Sequence, residues 1–141
     1  MATTRTATTH WEGSLMDGAG KVTLESSGLG THDVSWPART EQANGKTSPE
    51  ELIGAAHSAC YSMALSHALA QNGTPAQALD TKAEVTFQPG EGITGVHLFV
   101  VGSVEGLDSD DFMQHAETAK ANCPVSQALT GTTITLDAQL S

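Results

Sequence analysis

The segment that most constrains the fold begins at Ser48. Ser48 can cap a helix, Pro49 suits the first helical position, and Glu51, three residues after the serine, completes a capping box. Nothing stops the helix before the turn residues Asn72, Gly73, Thr74 and Pro75. The pattern therefore predicts about two dozen helical residues, twice the usual length of about 11–12. The segment ELIGAAHSACYSMALSHALA is apolar or small on most faces, as a helix buried all round would be. Such a helix is expected to be the central element.

The flanking segments read as strands and shorter helices. Before Ser48, short strands are expected around Thr6 to Trp11, Lys21 to Glu25 and Thr31 to Trp36, separated by Gly-rich turns. After the long helix, Thr81, Ala83, Val85 and Phe87 alternate with polar neighbours, PGEG turns the chain, and Val96, Leu98 and Val100 alternate again. That is a hairpin pattern. Asp108 to Asp111 place negative charge at the start of a helix running to about Asn122, and Cys123-Pro124 opens a short further one. Ile134, Leu136, Ala138 and Leu140 form a closing strand. The order βββ-α-ββ-α-α-β predicts an α+β fold rather than a doubly wound sheet. With 141 residues, one domain spanning 1–141 is expected. Its core should be aliphatic, since the chain has only 2 Trp, 1 Tyr and 3 Phe.

Charge and cysteine usage narrow the function. Six basic residues against 16 acidic ones give a net charge of −10, which repels nucleic-acid phosphates and anionic membranes alike. Neither is an expected partner. The first dozen residues hold no apolar targeting core, and the longest apolar run is Leu98 to Val101, so the chain reads as cytoplasmic. In a reducing cytosol the two cysteines are thiols, and such a pair points to catalysis, redox chemistry or metal binding more than to a structural staple.

Cys60 lies deep in the apolar helix, where it is either an inert buried thiol or a reactive one. An ordinary thiol is only about 3% ionised at neutral pH, whereas a pKa near 6 would make it about 90% thiolate. A positive charge has to supply that shift. Lys21, Lys46, Lys82 and Lys120 fall in turns or solvated segments, which leaves Arg39 as the best candidate. Glu51 is used by the capping box, so Glu50 has no structural task beyond the helix dipole. Cys123, as the residue before Pro124, would sit near unpaired amides of a helix start, which favours thiolate. His57 stands one turn from Cys60, but one such pair and a distant thiol is weak spacing for zinc, so no metal is expected and His57 reads as a satisfied buried histidine. The GAGK run at Gly18 lacks Walker spacing and there is no Gly-x-Ser-x-Gly elbow, so neither phosphate-binding nor serine-hydrolase chemistry is indicated.

HWEG at His10 to Gly13, PEELIGAAHSACYSMALS from Pro49, KANCPVSQAL from Lys120 and ITLDAQL from Ile134 together resemble the OsmC/Ohr family of thiol-dependent hydroperoxide reductases, the OsmC branch in particular, over nearly the whole chain. The resemblance implies curved, antiparallel-rich sheets packed around long central helices in an intertwined homodimer. It also implies that Cys60 is the peroxidatic cysteine, Cys123 the resolving one, Arg39 the thiolate-activating arginine and Glu50 the carboxylate that orients it. The implied activity is reduction of organic hydroperoxides, and more weakly of hydrogen peroxide, with an external dithiol or lipoyl-type reductant and no cofactor. The rival readings are a non-catalytic binder of small apolar ligands and a thiol redox sensor. Given the family roles, a ruler along the helix requires two chains. Glu50 and Cys60 are ten residues apart, about 15 Å along a straight axis. Two copies crossing antiparallel at the small residues Gly54, Ala55 and Ala56 would unite Cys60 and Cys123 of one subunit with Arg39 and Glu50 of its partner.

Overall fold

The computed structural model describes residues 1–141, which form two compact units, Met1–Leu52 and Ile53–Ser141.

In the first unit, β1 (Ala7–Glu12), β2 (Ala19–Leu24) and β3 (Thr31–Val34) form an antiparallel sheet in that order. Trp11 lies opposite Gly20. A Cβ at Gly20 would stand 2.7 Å from the Trp11 ring and 3.0 Å from Val34 Cγ2, so the glycine is what lets the indole lie over β2. The GAGK run is thus a shelf for Trp11. The third strand stops at Val34, short of the expected Trp36. There the Ser35 hydroxyl accepts a bond of 3.2 Å from the Ala38 amide, and Pro37 sits in the first turn of a short helix, α1 (Trp36–Thr40), that the strand pattern hid.

The long helix, α2 (Pro49–Gln71), starts in the first unit and makes up one layer of the second. Ser48 caps it as expected, accepting from the Glu51 amide at 3.1 Å. The reciprocal arm of the box is diverted: the Glu51 carboxylate accepts from the Thr47 hydroxyl at 2.6 Å.

The rest of the second unit is β4 (Ala76–Gln88), β5 (Gly92–Val104), α3 (Ser109–Asn122), α4 (Pro124–Ala128) and β6 (Thr133–Leu140). The sheet order is β4-β5-β6; the expected hairpin pairs β4 with β5 antiparallel, and β6 joins parallel to β5. The register places Leu98 between Ala83 and Leu136, and Val100 between Thr81 and Ala138. Val96, Leu98 and Val100 are all buried and pack with Tyr61, Leu65 and Leu69 of α2 and Phe112, Ala116 and Ala119 of α3. The Tyr61 hydroxyl donates to the buried Ala116 carbonyl at 2.8 Å, joining α2 to α3.

All-round burial of α2 is not met within one chain. Gly54, His57, Tyr61, Leu65 and Leu69 are buried, but Ala55, Ala56, Ala59 and Met63 are exposed. The reason is that the sheet presents one face to the helices, so a single chain supplies cover for one face of α2. No helix is long and apolar enough to cross a membrane.

The tightest approach in the sheet-helix layer generates a prediction. A Cβ at Gly102 would stand 2.7 Å from Phe112 Cε1 and Cζ, and that ring is only 1% exposed. Gly102→Ala is expected to destabilise by about 1–3 kcal/mol in urea denaturation, the usual cost of overpacking. Adding Phe112→Leu should recover part of the loss. A Gly102→Ala chain as stable as wild type would show that the ring has room to move.

Candidate active site

In the first unit Arg39 and Glu50 meet. Arg39 is in the last turn of α1 and Glu50 in the first turn of α2. The guanidinium grips the carboxylate as a fork: Nε lies 3.0 and 3.1 Å from the two oxygens, and Nη2 2.8 Å from Oε2. The Glu50 side chain is 9% exposed and that of Arg39 26%, so the pair is shielded enough for a planar, charge-assisted fork to hold one orientation. Trp36, one turn before Arg39, carries the guanidinium carbon 5.9 Å from its ring centroid, within cation–π range. Around them lies an open cavity of about 390 Å³ walled by Trp11, Leu15, Val22, Trp36 and Leu52. The spare carboxylate of α2 is therefore the orienting partner of Arg39, and the tryptophan of HWEG is a cavity wall.

In the second unit Cys60 and Cys123 meet, both as free thiols, Cys60 half-buried and Cys123 fully buried. Cys123 ends α3, donating its amide to the Ala119 carbonyl at 2.8 Å, and precedes Pro124 at the start of α4. Its sulfur makes no capping bond. At Cys60, burial pushes the thiol up, the Val125 N–H at the start of α4 pulls it back, and the neighbouring Cys123 pushes it up again. None of these groups is a cation.

His57, one turn before Cys60, is completely buried, and its Nε2 lies 2.7 Å from Ser126 Oγ. Its other nitrogen, Nδ1, has no hydrogen-bond partner. The expectation of a satisfied histidine is thus met at one nitrogen only. Nowhere do three His, Cys, Asp or Glu side chains converge as a metal ion would require. All four predicted site residues fall into two pairs, Arg39 with Glu50 and Cys60 with Cys123. Sequence reasoning missed Trp36 and Ser126. Trp36 was legible as the residue three before Arg39 once Ser35 and Pro37 were read as a helix start; Ser126 lies three residues after Cys123, as His57 lies three before Cys60.

The family model for "OsmC-like protein" matches residues 42–137. The chain is 44% identical over 134 residues to peroxiredoxin OsmC of Escherichia coli, covering 93% of this chain and 92% of that protein. Among solved structures, an OsmC-like protein from Mycoplasma pneumoniae superposes with a TM-score of 0.73 at 12% identity over 99% of both chains. The organic hydroperoxide resistance protein OsmC of Legionella pneumophila gives 0.67 at 22% identity, again over 99% of both. OhrB, the organic hydroperoxide resistance protein of Bacillus subtilis, gives 0.65 at 21%, over 96% of this chain and 98% of its own. At these identities the structural matches carry the fold.

The buried imidazole yields a pH prediction. Burial holds His57 below its ordinary value of 6.5, so below that pH the unfolded chain binds a proton that the folded chain refuses. Stability is then full above the unfolded value and falls as pH drops through it, by up to about 1.4 kcal/mol per pH unit. Urea denaturation between pH 5 and 8 should show that slope, and His57→Gln should flatten it. An unchanged slope would assign the acid sensitivity to other groups.

Proposed function

The chain belongs to the OsmC-like protein family, and on that premise we propose that it is a thiol-dependent hydroperoxide reductase working through Cys60 and Cys123. The observation that carries the proposal is the unequal setting of two interacting thiols: Cys60 is reachable from solvent, and Cys123 is buried behind it. The Cys60 thiolate attacks the distal oxygen of the peroxide, the O–O bond breaks, and the alkoxide leaves as an alcohol after taking a proton. The Cys60 sulfenic acid then condenses with the Cys123 thiol, releasing water and forming a disulfide. An external dithiol, of lipoyl type or similar, reduces that disulfide and is itself oxidised.

The thiolate needs a cation that the groups around Cys60 do not include. Arg39, held by Glu50, is the group built for that task, able to stabilise both the thiolate and charge developing on the peroxide oxygens. Glu50 and Cys60 stand ten residues apart on α2, about 15 Å along the helix axis. We therefore assign the complete site to a homodimer, with Cys60 and Cys123 of one chain facing Arg39 and Glu50 of the partner subunit. The exposed Ala55, Ala56 and Ala59 are small enough to let two copies of α2 approach closely. The apolar cavity beside Arg39 favours an organic hydroperoxide over hydrogen peroxide.

Two experiments test this reading. Cys60→Ser should abolish reduction of an alkyl hydroperoxide with a small dithiol. Cys123→Ser should complete one turnover and then accumulate extra oxygen on Cys60, seen by mass spectrometry. A Cys60→Ser chain that keeps its turnover would end the assignment of Cys60 as the attacking thiol, and a wild type without turnover whose Cys60→Ser chain still binds an apolar ligand would favour a passive binder. For the composite site, a Cys60→Ser chain and an Arg39→Met, Glu50→Gln chain are unfolded and refolded together. Random pairing makes about half the dimers mixed, each with one intact site, so about a quarter of wild-type activity should return. No return from verified mixed dimers would mean that each site is built within one chain.

A further inference from the structure

Cys60 and Cys123 form one of two parallel links between α2 and α4. His57 and Cys60 are three residues apart on α2 and so share a face, and Cys123 and Ser126 are spaced in the same way at the start of α4. His57 pairs with Ser126 through a contact of 2.7 Å, and Cys60 interacts with Cys123. The two segments therefore run antiparallel where they touch, and a slide or rotation of α4 that separates one pair displaces the other. α4 is five residues long and lacks a side-chain cap; beyond the two pairs, Val125 and Leu129 pack against the core, and these are apolar contacts that can slide, whereas the His57–Ser126 bond fixes a direction.

The His57 ring is an unusual tenant of an apolar core. It is 0% exposed, Ser126 is 4% exposed, and Nδ1 has no partner. A buried polar atom left unpaired is destabilising, whereas an apolar side chain of similar volume would fill the same space without that penalty. Packing does not call for an imidazole here; the one polar contact it makes is the link to α4.

We propose that the His57–Ser126 hydrogen bond is a positioning clamp for disulfide closure, holding the start of α4 against α2 so that Cys123 meets the Cys60 sulfenic acid before a second peroxide does. The proposal rests on the peroxidase reading above. The step it serves is balanced: the Cys123 sulfur displaces hydroxide from the Cys60 sulfur, the thiol proton leaves with it as water, and no further oxidant is consumed. The competing step is attack of the sulfenic acid on another peroxide molecule, which yields sulfinic acid.

The test compares wild type with Ser126→Ala, His57→Leu and His57→Gln, the last of which keeps an amide nitrogen near the place of Nε2. Each reduced protein receives one equivalent of alkyl hydroperoxide and is quenched over time, with disulfide and over-oxidised Cys60 counted by mass spectrometry. Closure is expected to slow about ten-fold or more in Ser126→Ala and His57→Leu, within the loss of about a hundred-fold that misplaced reacting groups can cause. Over-oxidation should then begin at proportionately lower peroxide. His57→Gln should close at nearly the wild-type rate, and Ser126→Ala combined with His57→Leu should be no worse than either alone. A merely structural histidine would not produce that rescue. If Ser126→Ala and His57→Leu close as fast as wild type and resist over-oxidation equally, the clamp is overturned while the peroxidase reading stands. A wild-type protein that consumes no peroxide overturns both.

Discussion

The apolar face of α2 has to be covered, and most of the second unit is arranged to cover it. Tyr61, Leu65 and Leu69 recur every four residues along one stripe and meet the inward-facing Val96, Leu98 and Val100 of β5. Each fully buried aliphatic side chain contributes roughly 1.5–3 kcal/mol, so the register of the sheet follows the stripe: a one-residue slip of β5 would turn His97, Phe99 and Val101 toward the helix. The same stripe orients Cys60. Because Cys60 immediately precedes Tyr61, the docking of Tyr61 against Ala116 sets where the thiol emerges.

Electrostatics set the two thiols and the arginine–carboxylate pair in different surroundings. A chain with a net charge of −10 opposes the formation of any further anion, and burial opposes it at Cys60 in particular. One amide from Val125 offsets part of that. In the first unit, Arg39 is held by the Glu50 carboxylate and the Trp36 indole. A guanidinium already locked in place loses little further freedom when it meets an anion, an advantage of Arg over a free Lys.

Features written in local patterns were readable in advance. The Ser48 cap, the hairpin and the alternation of β6 all appear where the residues indicated, because each depends on neighbours a few positions away. Elimination left Glu50 without a capping task, since Glu51 had one, but its pairing with Arg39 was implied by the family resemblance rather than by spacing. Other features were not local. Alternation in β6 says which residues face inward but not that its neighbour is β5 or that the pairing is parallel. Ser126 lies 69 residues from His57, and no spacing rule links them until the fold antiparallel-packs two helices. The short helix α1 was missed because the strand-like Thr31 to Trp36 ran across Ser35-Trp36-Pro37, whose cap and proline were the overriding signal. The capping bond looked for at Cys123 is absent for a related reason: a helix start offers its amides to whatever packs against it.

The parallel pairing of β6 with β5 also governs how the molecule comes to be. β5 leaves its second edge open until α3 and α4 have carried the chain across to bring β6 alongside. Connections of that kind raise contact order and slow folding. During the delay the edge on offer is Val96 to Val101, a β-rich stretch whose one polar residue is His97, which is the kind of strand that recruits other chains. The moment of greatest danger for newly made protein is thus the interval before the crossover docks, and conditions that crowd unfinished chains together would be expected to deplete it by aggregation long before they unfold the mature form.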